Sequence, residues 1–236
     1  MLLLSCSKYH DKPGNDPDPE PGKIRMKSLN GNTFTYDGQG RLTRASYSNS
    51  IVAYTTYVYT EDSVVGIDFD RQGNPHAGGG VIFYLGANGL ATREKFIIDN
   101  SVPAIILDFT YNADRQLIEE VVGRDGEAPE SRVVMYYSKG NMDSSRSFSL
   151  ETGELVRTIR YEYYTDKPNL LSSEHGGISY VGVGNVNLEK RDVQIIPGIP
   201  DILTEYGYEF DDRRRPSIRH TRVDGMLFND QTYTWY

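Results

Sequence analysis

One short device recurs along this chain and restricts what it can fold into. Two apolar or aromatic residues stand two positions apart. An Asp or Asn follows, then polar or glycine residues, then a new apolar position. The device reads FTYDGQGRL over 34–42, FTYNADRQL over 109–117 and YEFDDRRRP over 208–216. IDFDRQGNP over 67–75 is a weaker copy, as are FYLGANGL over 83–90 and YYSKGNM over 136–142. In a strand, residues two apart share a face, so Phe34 and Tyr36 form an apolar pair while Thr35 faces away. Asp or Asn then bonds its own backbone, Gly supplies the positive φ of a tight turn, and the chain reverses. The segment before the second copy alternates most clearly, with Ile105, Leu107, Phe109 and Tyr111 on one face against Ile106, Asp108 and Thr110 on the other.

Hairpins in series predict an all-β fold: a long antiparallel meander forming one curled sheet or an incomplete barrel, with a two-sheet sandwich as the alternative. Composition agrees. There are 18 Tyr beside one Trp, and 23 Gly and 11 Pro are spread at turn-like intervals. The pattern begins near residue 23 and continues to 236, which marks 23–236 as a single domain.

The first residues differ in kind. Leu3, Leu4, Ser5 and Cys6 read LLSC, which resembles the bacterial lipobox, in which the cysteine is lipidated and everything before it removed. Residues 1–6 therefore read as the remnant of a lipoprotein signal. Residues 7–22 alternate Pro with Asp, Glu and Gly and cannot bury apolar surface, so they read as a tether reaching about 20–25 Å. This predicts a lipid anchor at Cys6, with the membrane as a partner.

The string of aromatic, Tyr, Asp, Gly, Arg and Leu over 34–42 resembles the YD repeat of Rhs-type surface proteins. Together with LLSC and the acidic tether, the whole chain is similar to small lipoproteins of Bacteroidota of the DUF4595-like kind. That resemblance implies the outer membrane as location, facing periplasm or cell surface, and assigns no catalytic residue.

Charge excludes one class of partner. A net charge of −8 and an isolated basic run, Arg213 to Arg215, preceded by Asp211 and Asp212, argue against nucleic acid. A single cysteine permits no intramolecular disulfide. The four histidines, His10, His76, His175 and His220, form no metal-ligand spacing, so no metal or other cofactor is assigned. His76 beside Gly78 to Gly80 predicts a mobile loop, and Glu174 with His175 an exposed one. No nucleophile elbow is present. The remaining candidates for catalysis are Asp68 and Asp70, expected on one strand face opposite Ile67 and Phe69, the type of carboxylate pair a polysaccharide hydrolase uses. The leading expectation is a non-catalytic binding or structural module for a glycan or envelope protein, with that hydrolase as the alternative.

Overall fold

A computed structural model describes residues 24–99 and 101–236. Cys6 and the tether lie outside the described residues. Sixteen strands follow one another: β1 (Met26–Leu29), β2 (Asn32–Tyr36), β3 (Leu42–Ser46), β4 (Tyr54–Tyr59), β5 (Ser63–Phe69), β6 (Pro75–Leu85), β7 (Ala91–Ile97) and β8 (Ile105–Tyr111) in the first half. The second half holds β9 (Leu117–Arg124), β10 (Ser131–Ser138), β11 (Asn141–Ser149), β12 (Leu155–Pro168), β13 (Asn187–Ile195), β14 (Ile202–Phe210), β15 (Pro216–Val223) and β16 (Met226–Trp235). Each strand pairs antiparallel with its neighbours in sequence, and β1 pairs with β16, so the sheet closes into a barrel.

The meander expected from the repeats is present, but the sheet is neither open nor split into a sandwich. Closure is made by the two ends of the chain. The Ser28 and Thr234 hydroxyls lie 2.7 Å apart, and the Tyr236 N–H donates to the Arg25 carbonyl at 3.1 Å. Closing the ring removes both exposed sheet edges, a gain that no local sequence pattern encodes.

Five of the six copies of the repeated device make one and the same turn, whereas in YYSKGNM the chain reverses over Lys139 and Gly140 alone, with φ of 53 and 81. In the connections at 37–41, 70–74, 86–90, 112–116 and 211–215, the first N–H donates to the fifth carbonyl and the fourth N–H donates to the first carbonyl. Where the first residue is Asp37, Asp70, Asn112 or Asp211, its Oδ1 also accepts the third and fifth N–H groups at 2.8–3.0 Å. The fourth residue is left-handed in each of the five: Gly40, Gly73, Gly89, Arg115 and Arg214 have φ between 60 and 81. A register shift accompanies each of them, between residues 35/36, 67/69, 84/85, 110/111 and 209/210. This is a bulge that twists the ladder as the chain leaves the turn.

Connections between consecutive strands alternate between the barrel's two ends. Those after β2, β4, β6, β8, β10, β12 and β14 share one end with both chain termini. At that end the connection after β12 spans residues 169–186, far longer than its neighbours. It runs round the inside of the mouth and bonds to one pair of strands after another. The Met26 N–H donates to the His175 carbonyl at 3.2 Å, Leu42 N–H to Gly177 at 3.0 Å, and Val183 N–H to Arg115 at 2.9 Å. Beyond that, the Met142 N–H donates to Asn185 Oδ1 at 2.7 Å. The segment's one short 3-10 turn, Ser179–Val181, carries Tyr180 into the lumen, where it packs with Val64 and Ala91 against Tyr57, Tyr59, Phe83 and Phe109. Residues 169–186 are therefore a plug. Gly182 shows how closely it is seated, because a Cβ there would lie 2.7 Å from the Arg115 carbonyl and 2.8 Å from the Tyr111 ring.

Candidate binding site on the inner wall

The plug's contacts identify the inner face, and the ladders carry that assignment round the barrel by parity. Residues opposite one another in register share a face, so Phe109 places Glu120, Val133, Ser147, Ser145, Ile159, Tyr161 and Asp192 inside in turn. The same counting puts Arg93, Asp108, Glu162, Arg191 and His220 outside.

The outer wall is correspondingly charged. Arg93 pairs with Asp108 at 2.6 Å, Arg132 with Glu119 at 2.5 Å and Arg191 with Glu162 at 2.5 Å. The His220 ring stands between Glu209 at 3.0 Å and Asp230 at 2.8 Å, and hydrogen bonds to both carboxylates raise its pKa. The inner wall carries Tyr57, Tyr59, Phe83, Phe109, Tyr161 and Tyr206, while Tyr54, Phe69, Tyr84 and Tyr136 face outward among the charged residues. A lipid-facing barrel has the opposite arrangement, an apolar band outside and a polar lumen.

Within the lumen one stretch is polar and incompletely bonded. It lies on β11 to β15. Tyr206 donates to Asp192 Oδ2 at 2.8 Å, the Tyr161 and Ser145 hydroxyls lie 3.3 Å apart, and the Arg219 guanidinium lies 5.2 Å from the centre of the Tyr206 ring. Around them, Tyr163 Oη, Glu189 Oε1, Arg219 Nε and Thr221 Oγ1 are buried without a protein partner. Burial, then the charge of Asp192, pushes the Glu189 carboxyl up to about 7, while Arg219 pulls it back. Burial likewise raises the Tyr163 and Tyr206 phenols, so both stay protonated at neutral pH. Unpartnered buried polar groups are uncommon in folded proteins. These four, on β12, β13 and β15, form a set of unpartnered donors and acceptors on the lumen side of the wall. They include no activated nucleophile, and no group of three or more metal-ligating side chains occurs among the described residues.

The residues singled out from the sequence are dispersed. Asp68 is on the inner wall and accepts from the Thr55 hydroxyl at 2.6 Å, whereas Asp70 is the first residue of a turn and its Oδ1 is taken by the Gln72 and Asn74 N–H groups. Each carboxylate is thus bonded to partners of its own, and Ile67 and Phe69 face outward as the alternation requires. His76 stands on β6 instead of in a loop, with its Nδ1 buried and unpartnered. His175 belongs to the plug, where its Nδ1 lies 3.1 Å from the Ile24 carbonyl. Arg213 to Arg215 occupy the expected turn, and Arg215 pairs with Asp211 at 2.8 Å. Glu189 and Arg219 were missed. Each is one charge in an otherwise ordinary strand, and the bulge between residues 162 and 163 hides which face Glu189 takes.

No family model matches this sequence, and no curated protein matches it. Solved structures do share the fold. A protein from Bacteroides uniformis described as porin-like superposes with a TM-score of 0.62 at 17% identity, covering 90% of this chain and 95% of that one. A second protein described as porin-like, from Bacteroides vulgatus, gives 0.57 at 12% identity, covering 91% and 97%. At such identities the likeness extends to the barrel itself, so a closed antiparallel barrel of this kind is the architecture these chains have in common.

Proposed function

We propose that this chain is a non-catalytic binding module of the cell envelope, a barrel that stands in water at the end of a lipid-anchored tether and receives a polar ligand on its inner wall. The reversal of the wall carries this reading. A strand buried in lipid would place Arg93, Arg132 and Arg191 against acyl chains, and each such cation costs about 2–4 kcal/mol near the bilayer midplane. The porin-like description of the structural neighbours supports an envelope location for this chain. Transport through the bilayer is not supported, because the plug occupies one mouth and the outer face is laced with ion pairs. Ile24 and Met26 lie at the plugged mouth, so a tether from Cys6 would reach that end and leave the other mouth turned away. Hydrolysis by Asp68 with Asp70 loses its support because Asp70 is committed to its own turn and Asp68 to the Thr55 hydroxyl. Alternatives for the ligand are a glycan or a segment of another envelope protein.

The test has two arms. The full chain with Cys6→Ser should stay in solution without detergent and produce no conductance in planar bilayers. A requirement for detergent, or stepwise channel openings, would overturn the reading. In the natural host, the same substitution should move the protein from the membrane fraction to the soluble fraction, and unchanged partitioning would remove Cys6 as the anchor.

A further inference from the structure

The hairpins at the unplugged mouth differ from the rest of the surface in two respects. The first is apolar exposure. Ile51 is 83% exposed, and Met226 and Phe228 are each 73% exposed. Val102, Leu155 and Ile199, in or beside other connections at this end, are also exposed. Residues Met226 to Asp230 are exposed on both faces of β16, so the β15–β16 hairpin extends past the mouth. Exposed apolar side chains also occur at the plugged end, Val58, Val186 and Phe210 among them, but each is less exposed than Ile51, Met226 or Phe228, so the most exposed apolar side chains of the described residues stand at this mouth and mark an interaction surface.

The second respect is charge. The connections at this end, residues 30–31, 47–53, 70–74, 98–104, 125–130, 150–154, 196–201 and 224–225, contain nine Asp or Glu and one cation, Arg71. The connections at the plugged end contain seven acidic residues and six Lys or Arg. Strand cations offset only part of the difference, Lys95 on Asp125 at 2.5 Å and Arg124 on Glu130 at 3.3 Å. The chain's negative charge is therefore concentrated on the rim that also exposes Met226 and Phe228.

We propose that this rim docks a basic protein segment bearing apolar side chains, which insert against Met226, Phe228 and their neighbours while its lysines or arginines meet the rim carboxylates. Charge selects this occupant over the others. A second copy would bring a rim of the same sign against this one, and an anionic lipid surface would be repelled likewise. Complementary charge also steers encounter and suppresses wrong partners.

The probe is a fluorescein-labelled peptide of twelve residues alternating Lys and Leu, titrated with the full chain and followed by fluorescence anisotropy. The dissociation constant should rise by about tenfold between low and physiological ionic strength, as exposed charges become screened. The Met226→Ser, Phe228→Ser double variant should weaken binding at least several-fold. The Glu127→Gln, Glu151→Gln, Glu154→Gln triple variant should weaken it and flatten the salt dependence. All five positions are exposed, so both variants should melt like the parent. Binding untouched by the apolar double variant, or matched by an all-lysine peptide, would overturn the proposal. So would a concentration-dependent dimer, or binding to anionic vesicles, that the double variant abolishes; the first would assign the rim to self-association and the second to lipid.

Discussion

Phe109 links two parts of the molecule, since it sits on β8 and packs against the cluster of Tyr180, Val64 and Ala91 that seats the plug. It is half-buried, so its truncation should cost less than the full cavity penalty. Phe109→Ala should lower stability by about 2–3 kcal/mol in chemical denaturation. Glu189 behaves differently, because its carboxyl is raised from 4.5 to about 7. A folded-state pKa above the unfolded one means that the native barrel holds the proton more tightly. The stability associated with that proton is complete below the unfolded pKa and is lost as pH rises through about 7. Glu189→Gln, which keeps the shape and removes the ionisation, should raise the melting temperature at pH 8 and leave it nearly unchanged at pH 4. An equal shift at both pH values would show that the carboxyl ionises freely in the fold.

Among the elements, the five-residue turn gives the sharpest contrast between neighbouring copies. Its fourth position is Gly40 in one copy and Arg115 in another, and both are left-handed, with φ of 75 and 64. A Cβ at Gly40 would also lie 2.5 Å from Arg25 Nη2. Gly40→Val should therefore destabilise by about 2 kcal/mol, while Arg115→Gly should be neutral or stabilising by up to about 1 kcal/mol, as left-handed strain is relieved against added chain entropy. Thermal melts of the two variants in parallel check both signs. In the plug, Gly182→Ala should cost about 2–4 kcal/mol, because the new methyl meets a backbone carbonyl that cannot swing aside. Hydrogen exchange should show the Val183 amide losing protection in that variant before the strands do. These turns were legible in the sequence because the Asp or Asn, the left-handed residue and the flanking alternation are all local. The plug was not. SSEHGG reads as an exposed loop because its stabilising partners, Met26, Leu42 and Arg115, lie 60 to 150 positions away, a separation that local composition does not register. The inner-wall set was partly visible, since Tyr161, Tyr163, Tyr206 and Tyr208 alternate as inward residues should, whereas Glu189 and Arg219 carried no repeat to mark them.

For the whole molecule, the strand that completes the barrel is the last to be made. Fifteen of the sixteen ladders join neighbours in sequence, so hairpins form locally and quickly. The remaining ladder joins residues about 200 positions apart, and until it forms the free sides of β1 and β16 present unpaired backbone. Assembly should consequently show a fast phase that acquires strand signal and a slower one that acquires near-ultraviolet aromatic signal, with aggregation confined to the interval between them. Ending the chain at Asp224 would make that interval permanent. Joining the present termini through a short linker and opening the chain at Gly153 instead should shorten it, because β1 and β16 would then be sequence neighbours and the late event would move to β11 and β12. A chain so permuted should refold to the same barrel with less loss to aggregation, and stopped-flow refolding at several protein concentrations would reveal it. Seen this way, the order in which residues leave the ribosome decides which seam the cell must protect.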